Sequence, residues 1–134
     1  MQELSNKVAV ITGAASGIGL ALAKRAAAEG MRVVMADIEA PALADAVAEI
    51  QATGAAAIGV VTDVANEASI QALADRAFEE FGAVHILCNN AGVSGGGGPS
   101  WEIPDNAWQW TFGVNLWSVV YALRAFIPRM IEKG

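Results

Sequence analysis

Cysteine and histidine are scarce in this chain of 134 residues, which contains one of each, Cys88 and His85. A single thiol cannot form an internal disulfide, and this is typical of a protein from a reducing compartment. A zinc site needs about four Cys, His or carboxylate ligands, so we expect no metal. The N-terminal segment carries an acid, Glu3, before its first base, Lys7, unlike a signal peptide. The sequence therefore predicts a cytoplasmic protein.

Basic residues are also few: 8 Lys and Arg stand against 14 Asp and Glu, for a net charge of -6. They are scattered, with one adjacent pair, Lys24 and Arg25. Binding to the phosphate backbone of nucleic acid or to an anionic membrane requires clustered cations, so nucleic acid is not an expected partner. The uncharged segment 106–123 contains several polar side chains, which argues against a membrane-spanning helix. We expect neither nucleic acid nor membrane as a partner.

Hydrophobic residues make up 54% of the chain and charged residues 16%. This composition excludes a disordered protein, because disordered segments combine low hydrophobicity with high charge. The length suits one domain with one core, and it is too short for a cofactor domain plus a separate substrate domain. We therefore predict a single domain over residues 1–134.

Short apolar runs rich in β-branched residues alternate with longer alanine-rich segments. The predicted strands are residues 7–11, 32–36, 56–61 and 84–88, and the predicted helices are residues 17–29, 41–52, 66–81 and 105–133. Strands that alternate with helices at this spacing indicate βαβ units and a mainly parallel sheet. The predicted fold class is therefore α/β with a doubly wound parallel sheet.

A glycine-rich turn, Thr12-Gly13-Ala14-Ala15-Ser16-Gly17-Ile18-Gly19, follows the first strand and opens a helix. Glycines allow the backbone to approach a phosphate closely, and the N-terminus of the helix favours an anion. The spacing differs from the G-x-G-x-x-G fingerprint, and a purely structural turn explains three glycines equally well. Asp37 ends the second strand, where a carboxylate can accept both ribose hydroxyls of an adenosine. A solvated turn carboxylate is the alternative.

The other two strands also end in small or polar residues, Thr62-Asp63-Val64 and Cys88-Asn89-Asn90-Ala91-Gly92. The carboxyl ends of parallel strands meet at one edge of the sheet, where doubly wound folds bind their ligand. The four strand ends together are more specific evidence for a ligand site than any one of them. The sequence therefore predicts a ligand crevice at this edge.

With these motifs the chain resembles the N-terminal half of the short-chain dehydrogenase/reductase family. T-G-x-x-x-G-I-G stands at 12–19, D-V at 63–64, N-N-A-G at 89–92 and V-N-L around Asn115. The resemblance implies a Rossmann-type sheet of strand order 3-2-1-4, truncated after the long fourth helix, and a nicotinamide dinucleotide as cofactor. It implies these positions: Gly13, Ser16, Gly17 and Gly19 around the pyrophosphate, Ile18 near the nicotinamide, Asp63 and Val64 beside the adenine, and Asn90, Ala91 and Gly92 near the ribose.

Asp37 also favours NAD over NADP, because a 2′-phosphate would meet its carboxylate at close range. No base stands at Ala14, Ala15 or Ile38 to offset the repulsion. We therefore predict preferential binding of NAD(H).

The family's hydride transfer to or from an alcohol or carbonyl substrate uses an Asn, a Ser, a Tyr and a Lys. The lysine lowers the pKa of the tyrosine, and the asparagine supports a proton relay through water. Only Asn115 has a counterpart in these 134 residues, because the Ser and the Tyr-x-x-x-Lys lie further along the family pattern. Tyr121, the single tyrosine, has no lysine four positions later, and its helical apolar context indicates packing. The 134-residue chain alone is therefore expected to be inactive.

Asn115 has a second interpretation, a buried amide bonded to the backbone of the fourth strand. Cys88 is expected to be a small core residue, and His85 a polar residue at a strand start. The glycine-rich loop 92–100 is either a flexible connection or the border of a substrate site, with Ser94 and Gly95 as the expected contacts.

The fourth strand would form an exposed edge of the sheet, which invites pairing with another chain. A patch of Trp108, Trp110, Trp117 and Phe126 also favours association, so we predict a homo-oligomer or a chain unstable alone. Two functions compete with a dehydrogenase: a dinucleotide-binding module or regulator without chemistry, and an S-adenosylmethionine-dependent methyltransferase. The N-N-A-G segment argues against the methyltransferase.

Overall fold

The computed structural model describes residues 3–133 of the chain. Strands and helices alternate, as the pattern predicts. The strands are β1 (Val8–Thr12), β2 (Arg32–Asp37), β3 (Ala57–Val61) and β4 (Ile86–Cys88). The helices are α1 (Gly17–Ala28), α2 (Ala40–Gln51), α3 (Glu67–Phe81), α4 (Asp105–Phe112) and α5 (Ser118–Lys133), and a π-helical turn (Gly113–Trp117) joins α4 to α5. The prediction of one domain over residues 1–134 includes three residues outside the described range and stays a prediction.

The four strands form one parallel sheet in the order β3-β2-β1-β4. In the centre Val10 of β1 is in register with Val34 of β2 and with Leu87 of β4. This order confirms the predicted Rossmann-like α/β fold. Because the strands are parallel, the carboxyl ends of all four lie at the same end of the sheet. Among the described residues β4 is an edge strand.

Both faces of the sheet are covered, which explains the nearly continuous apolar character of the strands. Alternate residues of β2 enter two cores: Val34 faces α3 and α5, whereas Val33 and Met35 face α1 and α2. The rings of Phe78 and Phe126 join α3 to α5 with centroids 6.2 Å apart. The sheet is therefore the middle layer of three.

Capping residues mark the beginning of α3 and the ends of α1 and α3 where the sequence predicts them. The Asn66 side chain caps α3 and accepts a hydrogen bond from the backbone N–H of Ser69 at 3.0 Å. Gly82 ends the same helix with φ of 76°, and Gly30 follows α1 with the same φ. These glycines occupy the left-handed region, which other residues seldom adopt.

The structure corrects three expectations. β4 begins at Ile86 and not at Val84. The predicted continuous helix 105–133 contains the π-helical turn at Gly113–Trp117, which is often a feature of functional sites. Phe126 does not belong to an exposed patch, because it is completely buried against α3, whereas Trp108, Trp110 and Trp117 are each about half exposed. Within residues 3–133 no helix is both long and apolar enough to cross a membrane.

Candidate functional site

A cleft of about 590 Å³ lies at the carboxyl ends of the four strands. Most of the residues predicted for the cofactor line it. The lining residues are Gly13, Ser16, Ile18, Asp37, Ile38, Glu39, Thr62, Asp63, Val64, Asn90, Ala91, Gly92, Val93, Trp110 and Val114. Two predicted residues, Gly17 and Gly19, lie in the adjoining glycine turn, and Asn115 follows Val114.

Two glycines of the turn between β1 and α1 carry different constraints. Gly17 has a φ of 56°, and a Cβ there would meet nothing within 4 Å. Gly19 is buried, and its Cβ would lie 2.0 Å from the Gly13 carbonyl oxygen and 2.6 Å from Asn90 Nδ2. Gly17 therefore supplies a backbone conformation and open space, whereas Gly19 lets α1 pack closely against the Gly13 carbonyl and the Asn90 side chain.

The N-terminus of α1 points its polar groups at this cleft. Ser16 occupies the N-cap position, is exposed, and makes no capping hydrogen bond with its side chain. The first backbone N–H groups of an α-helix have no acceptor within the helix, and the helix dipole adds a partial positive charge there. Ser16 and Ile18 line the cleft, and Ile18 is 74% exposed. This end of α1 fits a diphosphate group.

Asp37 at the end of β2 binds the glycine turn directly. Its Oδ2 accepts a hydrogen bond from the backbone N–H of Ala15 at 3.0 Å, and its Oδ1 accepts from the N–H of Glu39 at 3.0 Å. Each carboxylate oxygen has a further lone pair, so both can still accept from a ligand hydroxyl. One bond joins Asp37 to the glycine turn and the other closes a local turn at Glu39, so the partly buried carboxylate is held in place at the edge of the cleft.

The side chains of the cleft are acidic. Asp37, Glu39 and Asp63 contribute three carboxylates, and the lining contains no Lys, Arg or His. Three carboxylates without a neighbouring base favour ligand groups that donate hydrogen bonds over groups that carry negative charge.

Thr12 is a site residue that the sequence reasoning missed. Its buried hydroxyl oxygen accepts from the N–H groups of Asn90 at 3.1 Å and Ala91 at 3.0 Å. The Asn90 side chain returns the contact, because Nδ2 donates to the Thr12 carbonyl at 3.0 Å. These bonds join the ends of β1 and β4. The sequence did offer a signal for this role, because Thr12 is a polar residue at the end of an otherwise apolar strand.

Beyond β3, Asp63 and Val64 begin a short turn into α3. Asp63 accepts from the Ala65 N–H through Oδ1 at 3.0 Å, and the Asp63 N–H donates to Ser69 Oγ at 2.9 Å. Val64 is 8% exposed and packs in the core beneath the cleft. The turn thus presents an ordered carboxylate above an apolar side chain.

Asn115 lies in the π-helical turn and is exposed, so the expectation of a buried amide is wrong. Its Oδ1 accepts from the Val93 N–H at 2.7 Å, and its Nδ2 donates to the Val93 carbonyl at 2.8 Å. The partner is therefore the loop after β4, not the strand itself. The π-helical turn brings the Asn115 side chain to this loop, which borders the cleft through Val93.

The loop that follows Val93 is held closely to α4. A Cβ at Gly95 would lie 1.8 Å from Thr111 Oγ1, so this glycine allows the contact. Ser94 is exposed, and neither it nor Gly95 is among the residues that line the cleft. Their contact with a substrate stays a prediction.

Three other reactive side chains lie away from the cleft. Tyr121 stacks on Trp117 with ring centroids 6.1 Å apart and packs against the core. Burial raises the pKa of the Cys88 thiol, which disfavours a thiolate nucleophile. His85 Nδ1 accepts from the Val8 N–H at 3.0 Å, which explains why a polar residue precedes β4. Among residues 3–133 no group of three metal-ligating side chains is present.

The model of the short chain dehydrogenase family matches residues 7–134. The chain belongs to this family, the short-chain dehydrogenases/reductases. The 1-deoxy-11-beta-hydroxypentalenate dehydrogenase of Streptomyces avermitilis is 48% identical over 133 residues, which cover 98% of this chain and 49% of that protein. The C alpha-dehydrogenase of Sphingobium sp. is 38% identical and is covered to 44%. The chain spans about half the length of the curated relatives it matches.

Solved structures agree with this assignment. A short chain dehydrogenase/reductase from Burkholderia phymatum in complex with NAD superposes with a TM-score of 0.96 at 53% identity, over 99% of this chain and 47% of that one. A metagenomic short-chain oxidoreductase in complex with NADP gives a TM-score of 0.91 at 37% identity, over 96% and 58%. Similar structures thus bind either dinucleotide, and the methyltransferase alternative gains no support.

Proposed function

We propose that this chain supplies the cofactor site of an NAD-dependent oxidoreductase that transfers a hydride between the nicotinamide ring and an alcohol or ketone. The position of Asp37 carries the proposal: its carboxylate binds the glycine turn and lines a cleft with two further acids and no base. Such a cleft suits two ribose hydroxyls and disfavours a 2′-phosphate. The family membership and the NAD-bound structure from Burkholderia phymatum support it.

The residues present fit a dinucleotide, because the glycine turn leaves open space at Gly17 beside the N-terminus of α1. Under this proposal Gly13, Ser16, Gly17 and Gly19 surround the pyrophosphate. Asp63 and Val64 lie beside the adenine, Asn90, Ala91 and Gly92 near the ribose, and Ile18 near the nicotinamide. When bound, the nicotinamide supplies the group that accepts or donates the hydride.

Asn115 has a place in proton transfer under the same proposal. Oδ1 and Nδ2 each make one hydrogen bond to Val93. An amide oxygen has two lone pairs and an amide nitrogen two hydrogens, so one acceptor and one donor remain. The side chain is exposed, and these groups can hold a water molecule of a proton relay. The Ser, Tyr and Lys of the family are absent from these 134 residues, so we expect cofactor binding without alcohol oxidation.

A dinucleotide-binding module or regulator without chemistry is the second candidate, because the cleft at the carboxyl ends of the strands is lined entirely by residues of this chain. It predicts the same cofactor affinity for the 134-residue chain. A coding sequence that continues into a Ser and a Tyr-x-x-x-Lys would support the dehydrogenase and oppose the module.

Calorimetric titration of the chain with NAD and with NADP tests the cofactor preference. We expect tighter binding of NAD, and we expect Asp37→Ala to weaken NAD binding by about tenfold because two charge-assisted hydrogen bonds are lost. In the same variant the ratio of the affinity for NAD to the affinity for NADP should be smaller than in the unmodified chain. Asp45→Ala, which removes an exposed carboxylate of α2 outside the cleft, is the control. Equal affinities for NAD and NADP in the unmodified chain would contradict the proposal.

A further inference from the structure

Trp110 differs from the other tryptophans of the chain. The ring of Trp108 stacks on Phe112 with centroids 5.9 Å apart, and Trp117 stacks on Tyr121. Trp101 also lacks an aromatic partner among the described residues, but it is 83% exposed and lies outside the cleft. Within residues 3–133 Trp110 has no aromatic partner, and it is 52% exposed. It is also the tryptophan that lines the cleft. An unpaired aromatic face therefore borders the proposed cofactor site.

The position of Trp110 along the cleft follows from its helix. Trp110 and Val114 are four residues apart, so their side chains lie near one face of the helix, and both line the cleft. Gly113 lies between them in the sequence. A Cβ added there would be 3.4 Å from the Cβ of Ala65, so this residue lies against the turn that precedes α3. This face of the helix therefore lies over the end of β3, beside Asp63 and Val64.

We propose that Trp110 is the aromatic wall against which the adenine ring of the dinucleotide stacks. The inference rests on the proposed function and extends it to the base-binding end of the site. An indole presents a flat apolar face of large area, and such a face binds a purine by offset stacking. Val64 and Val114 supply further apolar surface at the same end of the cleft.

Stacking on Trp110 would involve the adenine end of the dinucleotide and not its nicotinamide end. Trp110 contributes to the binding of any ligand that carries adenine, including AMP, which lacks the nicotinamide. The contribution depends on an aromatic ring and not only on an apolar one. A base stacked on an aromatic side chain is stabilised enough that losing the ring weakens binding roughly five- to tenfold at a half-exposed position.

The test compares Trp110→Leu with Trp110→Phe by calorimetric titration of the 134-residue chain with NAD and with AMP. We expect the leucine variant to bind both ligands about five- to tenfold more weakly, and the phenylalanine variant to stay within about threefold of the unmodified chain. Trp108→Leu is the matched control, because it changes a half-exposed tryptophan of the same helix outside the cleft. Far-UV circular dichroism establishes that each variant is folded.

Quenching of tryptophan fluorescence by AMP gives a second readout, which a purely structural role would not change. We expect quenching in the unmodified chain and in Trp108→Leu, and its loss in Trp110→Leu. Leucine and phenylalanine variants of equal affinity would overturn the stacking role and leave the proposed function intact. Failure of the unmodified chain to bind either NAD or AMP would overturn both.

Discussion

Asn115 and Val93 are joined by two hydrogen bonds, 2.7 Å to the Val93 nitrogen and 2.8 Å to its carbonyl oxygen. The two residues belong to separate segments, the π-helical turn before α5 and the loop after β4. The side chain therefore completes the hydrogen bonding of a loop residue much as a neighbouring strand would. Val93 lines the cleft, so the position of this wall depends on Asn115.

Asn115→Ala should free the Val93 amide. Net hydrogen bonds contribute about 1 kcal/mol each, so we expect exchange of the Val93 amide hydrogen to accelerate about five- to tenfold. Hydrogen exchange followed by NMR measures it. Asn106→Ala, which changes an exposed residue of the first turn of α4, is the control. Unchanged protection of Val93 would show that the loop is held by other contacts.

Gly19→Ala and Gly17→Ala should differ in their effect on stability. The new Cβ at position 19 overlaps the Gly13 carbonyl, so the backbone must shift, and we expect a loss of about 3 kcal/mol in the free energy of unfolding. At position 17 space is open and only the left-handed φ is strained, at a cost of about 1 to 2 kcal/mol. Urea denaturation measures both. A greater loss at position 17 would contradict the close-approach role of Gly19.

The chain should lose stability below neutral pH through His85. Burial lowers the pKa of His85 from 6.5, and the charges of Lys7 and Arg32 lower it further. The neutral ring is the form that accepts from the Val8 N–H, and the unfolded chain binds the proton more readily. The stabilisation is therefore complete above pH 6.5 and is lost as the pH falls from there through the lower folded-state pKa.

Urea denaturation at several values between pH 7 and about pH 5 measures this effect, in a range where the carboxylates stay ionised. His85→Gln keeps an acceptor and does not titrate, so its stability should be nearly constant over that range. Because the chain has one histidine, NMR titration of its ring assigns the pKa directly. A pKa above 6.5 would contradict the prediction.

Oligomer formation remains a prediction, and we expect it to use the exposed apolar side chains of the C-terminal helices and the edge of β4. Trp108, Trp117 and Leu123 on α4, the π turn and α5 are 41%, 46% and 46% exposed, and β4 has a free edge within the described residues. We expect light scattering to show a dimer or larger species, because exposed apolar patches of this kind favour association. Leu123→Lys should shift the equilibrium toward the monomer. Ile131→Lys, an exposed residue near the end of α5, is the control, and a monomeric unmodified chain would contradict the prediction.

Periodicity and turn chemistry alone predicted much of this protein. The alternation of strands and helices, the cap at Asn66 and the left-handed Gly82 depend on residues close in the chain. Their backbone torsions and apolar spacing are local properties, so they can be read without the fold. The shared edge of the strand ends follows as well, because parallel strands align their carboxyl ends. The order of the strands came from the family resemblance.

The tertiary structure decided what depends on approach between distant segments. The sequence shows that position 19 is glycine in a local turn, but part of the reason is the Asn90 side chain, which only the fold brings within 2.6 Å of a Cβ at that position. The hydroxyl of Thr12 and the burial of Phe126 depend in the same way on residues far along the chain. Local pattern sets which conformation a segment prefers, whereas close packing and hydrogen bonding between segments set which side chains form the site.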